Sequence, residues 1–203
     1  MKQMTPLIIL ASSSERRIYL LKKSGINFIA VNHNLEREPR FDEFSKKMPV
    51  SIGDFVQNLA LTKAESLQDD YPENWIIGSD TLIYMNGTVY GKPKDLSDAF
   101  NMLKELSGKT HEVYTGICLI NKSKNIYITD CDKTRVKIKP LNDKEIERYL
   151  SEYPPFDKAG SYGIQDEHGI VESYEGSFEN VLGLPVQKLL PLLKKYNLIN
   201  VLN

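Results

Sequence analysis

Four short segments of this chain set hydroxyl or charged side chains beside glycine or at a helix start. Ala11-Ser12-Ser13-Ser14-Glu15-Arg16-Arg17 follows a buried apolar run. Free backbone N–H groups at such a helix start, with two fork-shaped guanidinium groups, suit the oxygens of a phosphate. The same residues also make a plain N-cap followed by solvated arginines. Gly78-Ser79-Asp80-Thr81 ends a second apolar run. A carboxylate there can hold Mg²⁺, orient a water, or only satisfy nearby N–H groups. Gly91-Lys92-Pro93-Lys94 combines close backbone approach, a stiff turn and a compact positive charge. It also fits an exposed loop lysine. Asp157-Lys158-Ala159-Gly160-Ser161-Tyr162-Gly163-Ile164-Gln165 offers a lysine for phosphate and, in Gln165, a paired donor and acceptor that can read a base edge. It is equally a Gly-rich connector.

Other chemistries fall away. The chain has no GxxxxGK[ST] loop, no GxGxxG dinucleotide fingerprint and no GxSxG elbow. Cys118 and Cys131 lie inside strand patterns, are not spaced as CxxC, and cannot build a zinc site by themselves. His33, His111 and His168 are scattered and read as structural or surface residues. What is left is phosphate handling by carboxylates, lysines and arginines, with a metal.

The elements that must position these groups follow from periodicity. Leu7 to Ala11 is a continuous apolar run, as in a strand buried on both faces. A helix capped by Ser14 and stopped at Gly25 leads to a short strand over Asn27 to Val31. Residues 32–49 are charge-dense and contain Pro39 and Pro49, so they read as a long loop. From Ser51, the residues Phe55, Val56, Leu59, Ala60, Ala64 and Leu67 fall on one helical stripe. Trp75 to Thr81 is a strand. Leu82 to Met85 and Thr88 to Tyr90 flank Asn86-Gly87, a strong hairpin signal. A helix over Asp95 to Leu106, strands near 110–121 and 125–139, a helix over Asn142 to Tyr153 and a last helix over Pro185 to Tyr196 complete the pattern. Residues 157–184 are Gly-rich, with Gly160, Gly163, Gly169, Gly176 and Gly183. Nothing reads as an interdomain linker, so residues 1–203 are expected to form one α/β domain with a mixed sheet flanked by helices.

Composition bounds the partners. The chain has 203 residues, 41% of them apolar and 26% charged, which is ordinary globular usage. Lys and Arg total 26 and Asp and Glu 27, a net charge of −1. No basic excess is present to coat a nucleic acid polymer, although a small anion needs only a local cluster. No apolar run approaches the ~20 residues of a membrane helix. The N-terminal MKQMTPLIILASSSERR has one lysine before a short run, and is read as a first strand and not a signal peptide. Two cysteines suggest a reducing compartment, so the expected location is the cytoplasm.

LIILASSSERR, GSDT, GKPKD, LSGKTHEVYTG, DKAGSYGIQ and NVLGLP, in that order, resemble the Maf family of nucleoside triphosphate pyrophosphatases from about residue 7 to 195. The resemblance implies an α/β fold with a nucleotide-binding cleft, related to the inosine triphosphatase type. It implies hydrolysis between the α and β phosphates to a monophosphate and pyrophosphate, a divalent cation (Mg²⁺ or Mn²⁺), house-cleaning of the nucleotide pool, and homodimers. Carried over by position, the proton acceptor falls on Asp80. Phosphate and metal handling fall on Ser12, Arg16, Glu36, Lys63, Lys92 and Lys158, with Glu36 and Asp80 holding the metal and Glu36 and Lys92 counted with the catalytic groups. Specificity falls on Arg17, Thr81 and Gln165. This combination resembles the dTTP/UTP subgroup; the 7-methyl-GTP subgroup has Gln in place of Thr after the aspartate. Two other readings stand beside this one: a non-catalytic nucleotide-binding regulator of septum formation, and a purine-directed enzyme of the inosine triphosphatase type. One departure concerns Glu15, where the family has proline. It adds a negative charge beside the expected triphosphate site, which bears on affinity and not on the reaction.

Overall fold

The first apolar run is strand β1 (Ile8–Ala11), buried along its whole length. The computed structural model describes residues 7–35 and 51–199. Helix α1 (Glu15–Lys23) begins directly at Glu15, so the glutamate holds its first helical position. An acid is favoured there by the partial positive charge of the helix start. Ser14 is the N-cap, but its side chain makes no capping bond; its N–H donates instead to Ser12 Oγ at 3.2 Å. The far end closes as a Schellman motif. Gly25 takes φ +69°, its N–H bonds the Lys22 carbonyl at 3.0 Å, and the Ile26 N–H bonds the Leu21 carbonyl at 3.2 Å. Strand β2 (Phe28–Val31) then pairs parallel with β1.

Helix α2 (Ile52–Glu65) starts in a capping box, Ser51 Oγ accepting from the Asp54 N–H and the Asp54 carboxylate from the Ser51 N–H. Its buried stripe holds the expected Phe55, Val56, Leu59, Ala60 and Ala64, together with Lys63. Strand β3 (Trp75–Met85) runs unbroken through the Gly-Ser-Asp sequence and pairs parallel with β1. It turns through Asn86 and Gly87, both at positive φ, into strand β4 (Thr88–Tyr90), as a two-residue primed turn requires. Helix α3 (Leu96–Leu106) is capped by Asp95. Strands β5 (Thr110–Asn121) and β6 (Ile126–Ile138) follow, then helix α4 (Asp143–Glu152), whose Asn142–Glu145 capping box fixes its start. Strand β7 (Val171–Glu175) and the short helix α5 (Phe178–Leu182) lead to helix α6 (Val186–Lys195).

Among the described residues the sheet has seven strands in the order β2-β1-β3-β5-β6-β7, with β4 paired to β3. Its β2–β1 and β1–β3 pairs are parallel and its β3–β4 and β6–β7 pairs antiparallel, so the sheet is mixed and the class α/β. The chain divides into two compact units, and β3, β5 and β6 each contribute residues to both. The first takes residues up to Asp80, Thr115–Asp132 and those from Gly183 onward. Its core includes Ile9, Ala60, Ala64, Leu67, Ile76 and Ile120. The second takes Thr81–Tyr114 and Lys133–Leu182, with Ile83, Leu103, Leu106, Val113, Val136 and Ile146 in its own core.

The stretch over 157–184 is more regular than its glycines suggest. It contains a 3₁₀ turn (Ala159–Ser161), β7 and α5. Four of the five β7 residues are exposed, so the strand shows no apolar alternation to read.

Candidate active site

Asp80 is placed by two glycines. A Cβ at Gly78 would lie 2.1 Å from the Ala60 carbonyl oxygen and 2.7 Å from Cys118 Sγ. One at Gly116 would lie 2.2 Å from the Val56 carbonyl oxygen. No side chain fits at either point, so α2 lies directly against the backbone of β3 and β5. On the next turn of α2 after Ala60, Lys63 reaches Asp80, with Nζ 2.6 Å from Oδ1. The two side chains are only 5% and 10% exposed. Two opposite charges this far from water are held by each other, because either alone carries a large desolvation cost.

Arg17 completes the cluster from the start of α1. Its Nε donates to the Gly183 carbonyl at 2.8 Å, its Nη1 to Ser12 Oγ at 3.4 Å, and its Nη2 lies 3.9 Å from Asp80 Oδ1. Ser79 is fully buried, with its hydroxyl 2.9 Å from the carbonyl oxygens of both Gly116 and Gly183. The first unit therefore brings Ser12, Arg17, Lys63 and Asp80 into one network. Arg16 is the half-buried neighbour of Arg17 on α1. Glu36 lies outside the described residues.

In the second unit, Thr81 follows Asp80 along β3 and is half-buried. Lys92 is exposed on the turn after β4. The Gly91 carbonyl before it accepts from the Gly160 N–H at 2.9 Å, which ties this turn to the segment carrying Lys158. Lys158 Nζ donates to the Pro154 carbonyl at 2.7 Å and lies 2.9 Å from Asp157 Oδ1, so its ammonium is held locally. Gln165 is exposed. Two groups of the network were not singled out by sequence reasoning. Ser79 was named only as part of the Gly-Ser-Asp segment, which lies within β3. Gly183 acts through a backbone carbonyl, and only its place in the NVLGLP motif hints at it.

Among the described residues no three His, Cys, Asp or Glu side chains gather as a metal cage. Mg²⁺ is ordinarily held by one or two carboxylates together with substrate phosphates. The hard carboxylate oxygens of Asp80 fit that donor type.

The family described as Maf-like protein matches residues 7–196. The chain belongs to the Maf-like family. Relatives of this Maf-like chain are similar over nearly their whole length. A Clostridium perfringens (strain SM101 / Type A) protein named dTTP/UTP pyrophosphatase is 42% identical over 193 residues, 94% of this chain and 97% of its own. One of the same name from Dictyoglomus turgidum is 40% identical over 190 residues, 93% of this chain and 95% of its own. One from Clostridium botulinum (strain Kyoto / Type A2) is 44% identical over 186 residues, 90% and 93% of the two chains. Among solved structures, the Staphylococcus aureus Ham1 protein matches with a TM-score of 0.52 at 14% identity, covering 94% of the Maf-like chain and 99% of its own. At that identity the likeness concerns the fold alone, and it is an α/β fold of the same kind.

Proposed function

We propose that this chain is a nucleoside triphosphate pyrophosphatase that hydrolyses dTTP and UTP between the α and β phosphates, clearing such nucleotides or modified pyrimidine analogues from the pool. The observation that carries this reading is the buried Lys63–Asp80 pair with Arg17 beside it, in a chain whose near-full-length relatives bear the name dTTP/UTP pyrophosphatase. Asp80 orients a water and accepts its proton, its carboxylate held in place by Lys63. Ser12, Arg16, Lys63, Lys92 and Lys158 meet the phosphate oxygens and stabilise charge that develops as pyrophosphate departs. Glu36 acts with Asp80 and Lys92 in the catalytic set. A divalent cation, Mg²⁺ or Mn²⁺, held by Asp80 and Glu36, neutralises triphosphate charge when bound. Arg17, Thr81 and Gln165 select the base.

The resemblance also supports a homodimer. The count of two cysteines supports the cytoplasm. Among the described residues no helix is long and apolar enough to cross a membrane.

The test is a panel of dTTP, UTP, CTP, GTP and ITP with pyrophosphate detection, with and without Mg²⁺. Pyrophosphate and monophosphate from dTTP and UTP are expected. Nucleotide binding without turnover would favour the regulator, and a preference for ITP the purine-directed enzyme.

A further inference from the structure

Gln165 sits in a turn whose backbone is pinned from two sides. The Asp166 carboxylate that follows it folds back over Gly163. The Gly163 N–H donates to Asp166 Oδ2 at 3.1 Å and to Tyr149 Oη at 3.0 Å. The Tyr149 hydroxyl donates in turn to Asp166 Oδ2. A Cβ at Gly163 would come within 2.5 Å of Asp166 Oδ1, so glycine is what lets the carboxylate lie on the backbone. On the other side, the Asp166 carbonyl accepts from the Gly169 N–H at 2.9 Å. Residue 166 is thus anchored by its side chain and by its main chain, and the direction in which Gln165 leaves the turn is set with it. Tyr149 is itself packed in place. It is 3% exposed, lies in the core of the second unit, and belongs to a helix fixed by the Asn142–Glu145 box. Burial and the adjacent carboxylate push its phenol well above the ordinary range, so it stays a donor.

We propose that Tyr149 and Asp166 are positioning residues for base selection, holding the Gln165 carboxamide where it distinguishes thymine and uracil from cytosine. The inference rests on the reading above that Gln165 meets the base. The chemistry gives the reason that direction matters. A carboxamide has a donor side and an acceptor side. Thymine and uracil offer an N3–H donor beside an O4 acceptor, whereas cytosine offers the reverse, an N3 acceptor beside an N4 donor. An amide free to turn serves either base. An amide whose main chain is fixed reaches the base from one side, and a wrong base there leaves its donor and acceptor unpaired.

The experiment uses the full-length enzyme and its Tyr149→Phe, Asp166→Ala and Asp166→Asn variants. The readout is kcat and KM for dTTP, UTP and CTP, with circular dichroism to establish folding. Tyr149→Phe and Asp166→Ala are expected to lower the dTTP-over-CTP ratio of kcat/KM by about tenfold. The change should lie mainly in KM for dTTP, with kcat largely kept. Asp166→Asn keeps an acceptor for the Gly163 N–H and should restore part of the ratio; if the other variants do not fold, it carries the test alone with a smaller drop. A uniform loss of activity with an unchanged ratio in folded variants would overturn the positioning role. A wild-type enzyme that does not hydrolyse dTTP or UTP would overturn the underlying reading instead.

Discussion

Lys63 Nζ lies 2.6 Å from Asp80 Oδ1, joining the last full turn of α2 to the point on β3 where the apolar run ends. Both side chains are almost out of water, so removing one charge strands the other. Lys63→Met is expected to cost about 3–5 kcal/mol in urea unfolding, the range for breaking a buried pair. It should also abolish most turnover. A stability loss below about 1 kcal/mol, as for an exposed pair, would show that the two groups are not buried together in solution.

Gly78→Ala tests the close approach that makes this pair possible. The added methyl would lie 2.1 Å from the Ala60 carbonyl oxygen, which is helix backbone and cannot swing aside. Overpacking of this kind costs about 1–3 kcal/mol or more. Because the strain is relieved by moving α2 off β3, activity should fall further than in a surface variant of equal stability. Gly91→Ala, where an added Cβ meets nothing within 4 Å, is the matched control for the steric term.

The strands were legible because Ile8 to Ala11 and Trp75 to Ile77 are uninterrupted apolar runs, the mark of burial on both faces. The Asn86-Gly87 turn and the Gly25 stop were legible because each needs a positive φ that few residues adopt cheaply. Helix ends differ from expectation by a residue or two, at the capping positions. Asp80 could be picked out as a carboxylate after a buried apolar run, but the expected end of the strand there is not found: β3 continues past it to Met85. Lys63 could not, since a lysine on a helix ordinarily marks its wet face. Here it lies in the buried stripe beside Ala60 and Ala64, and only the family resemblance singled it out. The role of Gly78 depends on a helix that periodicity does not dock. The acceptor for Arg17 is a main-chain carbonyl, which no side-chain type announces.

His111 gives a pH signature. It is buried, its Nε2 lies 2.7 Å from Tyr162 Oη, and its Nδ1 has no hydrogen-bond partner among the described residues. Burial lowers its pKa from 6.5 to about 4. Below pH 6.5 the unfolded chain takes up a proton that the folded chain refuses. Stability should therefore fall as pH drops from about 6.5 toward about 4, by up to roughly 3 kcal/mol from this group. His111→Gln should remove that part of the slope. Urea midpoints across this range check it, and an equal slope in the variant would contradict it.

Glu15 stands at the first position of α1, adjacent in sequence to Arg16 and Arg17. If this helix start meets the triphosphate, its charge opposes the anion. Glu15→Gln should lower KM for dTTP by about twofold to fivefold at low salt, the size of a helix-terminus charge effect. The gain should shrink as salt is raised. An unchanged KM at low salt would place the phosphates away from this end of α1.

Asp80→Asn bears most directly on the proposed reaction. The amide keeps an oxygen to accept from Lys63 Nζ but cannot take a proton from water. It leaves the lysine charge unneutralised, so the variant loses stability as Lys63→Met does, and its turnover is compared under conditions where circular dichroism shows it folded. Pyrophosphate release from dTTP with Mg²⁺ is the quantity to follow in wild type and variant. The expected result is dTMP and pyrophosphate from the wild type, with turnover lower by about 10²–10⁴-fold in Asp80→Asn. Turnover of the variant at the wild-type rate, or orthophosphate in place of pyrophosphate from the wild type, would contradict it.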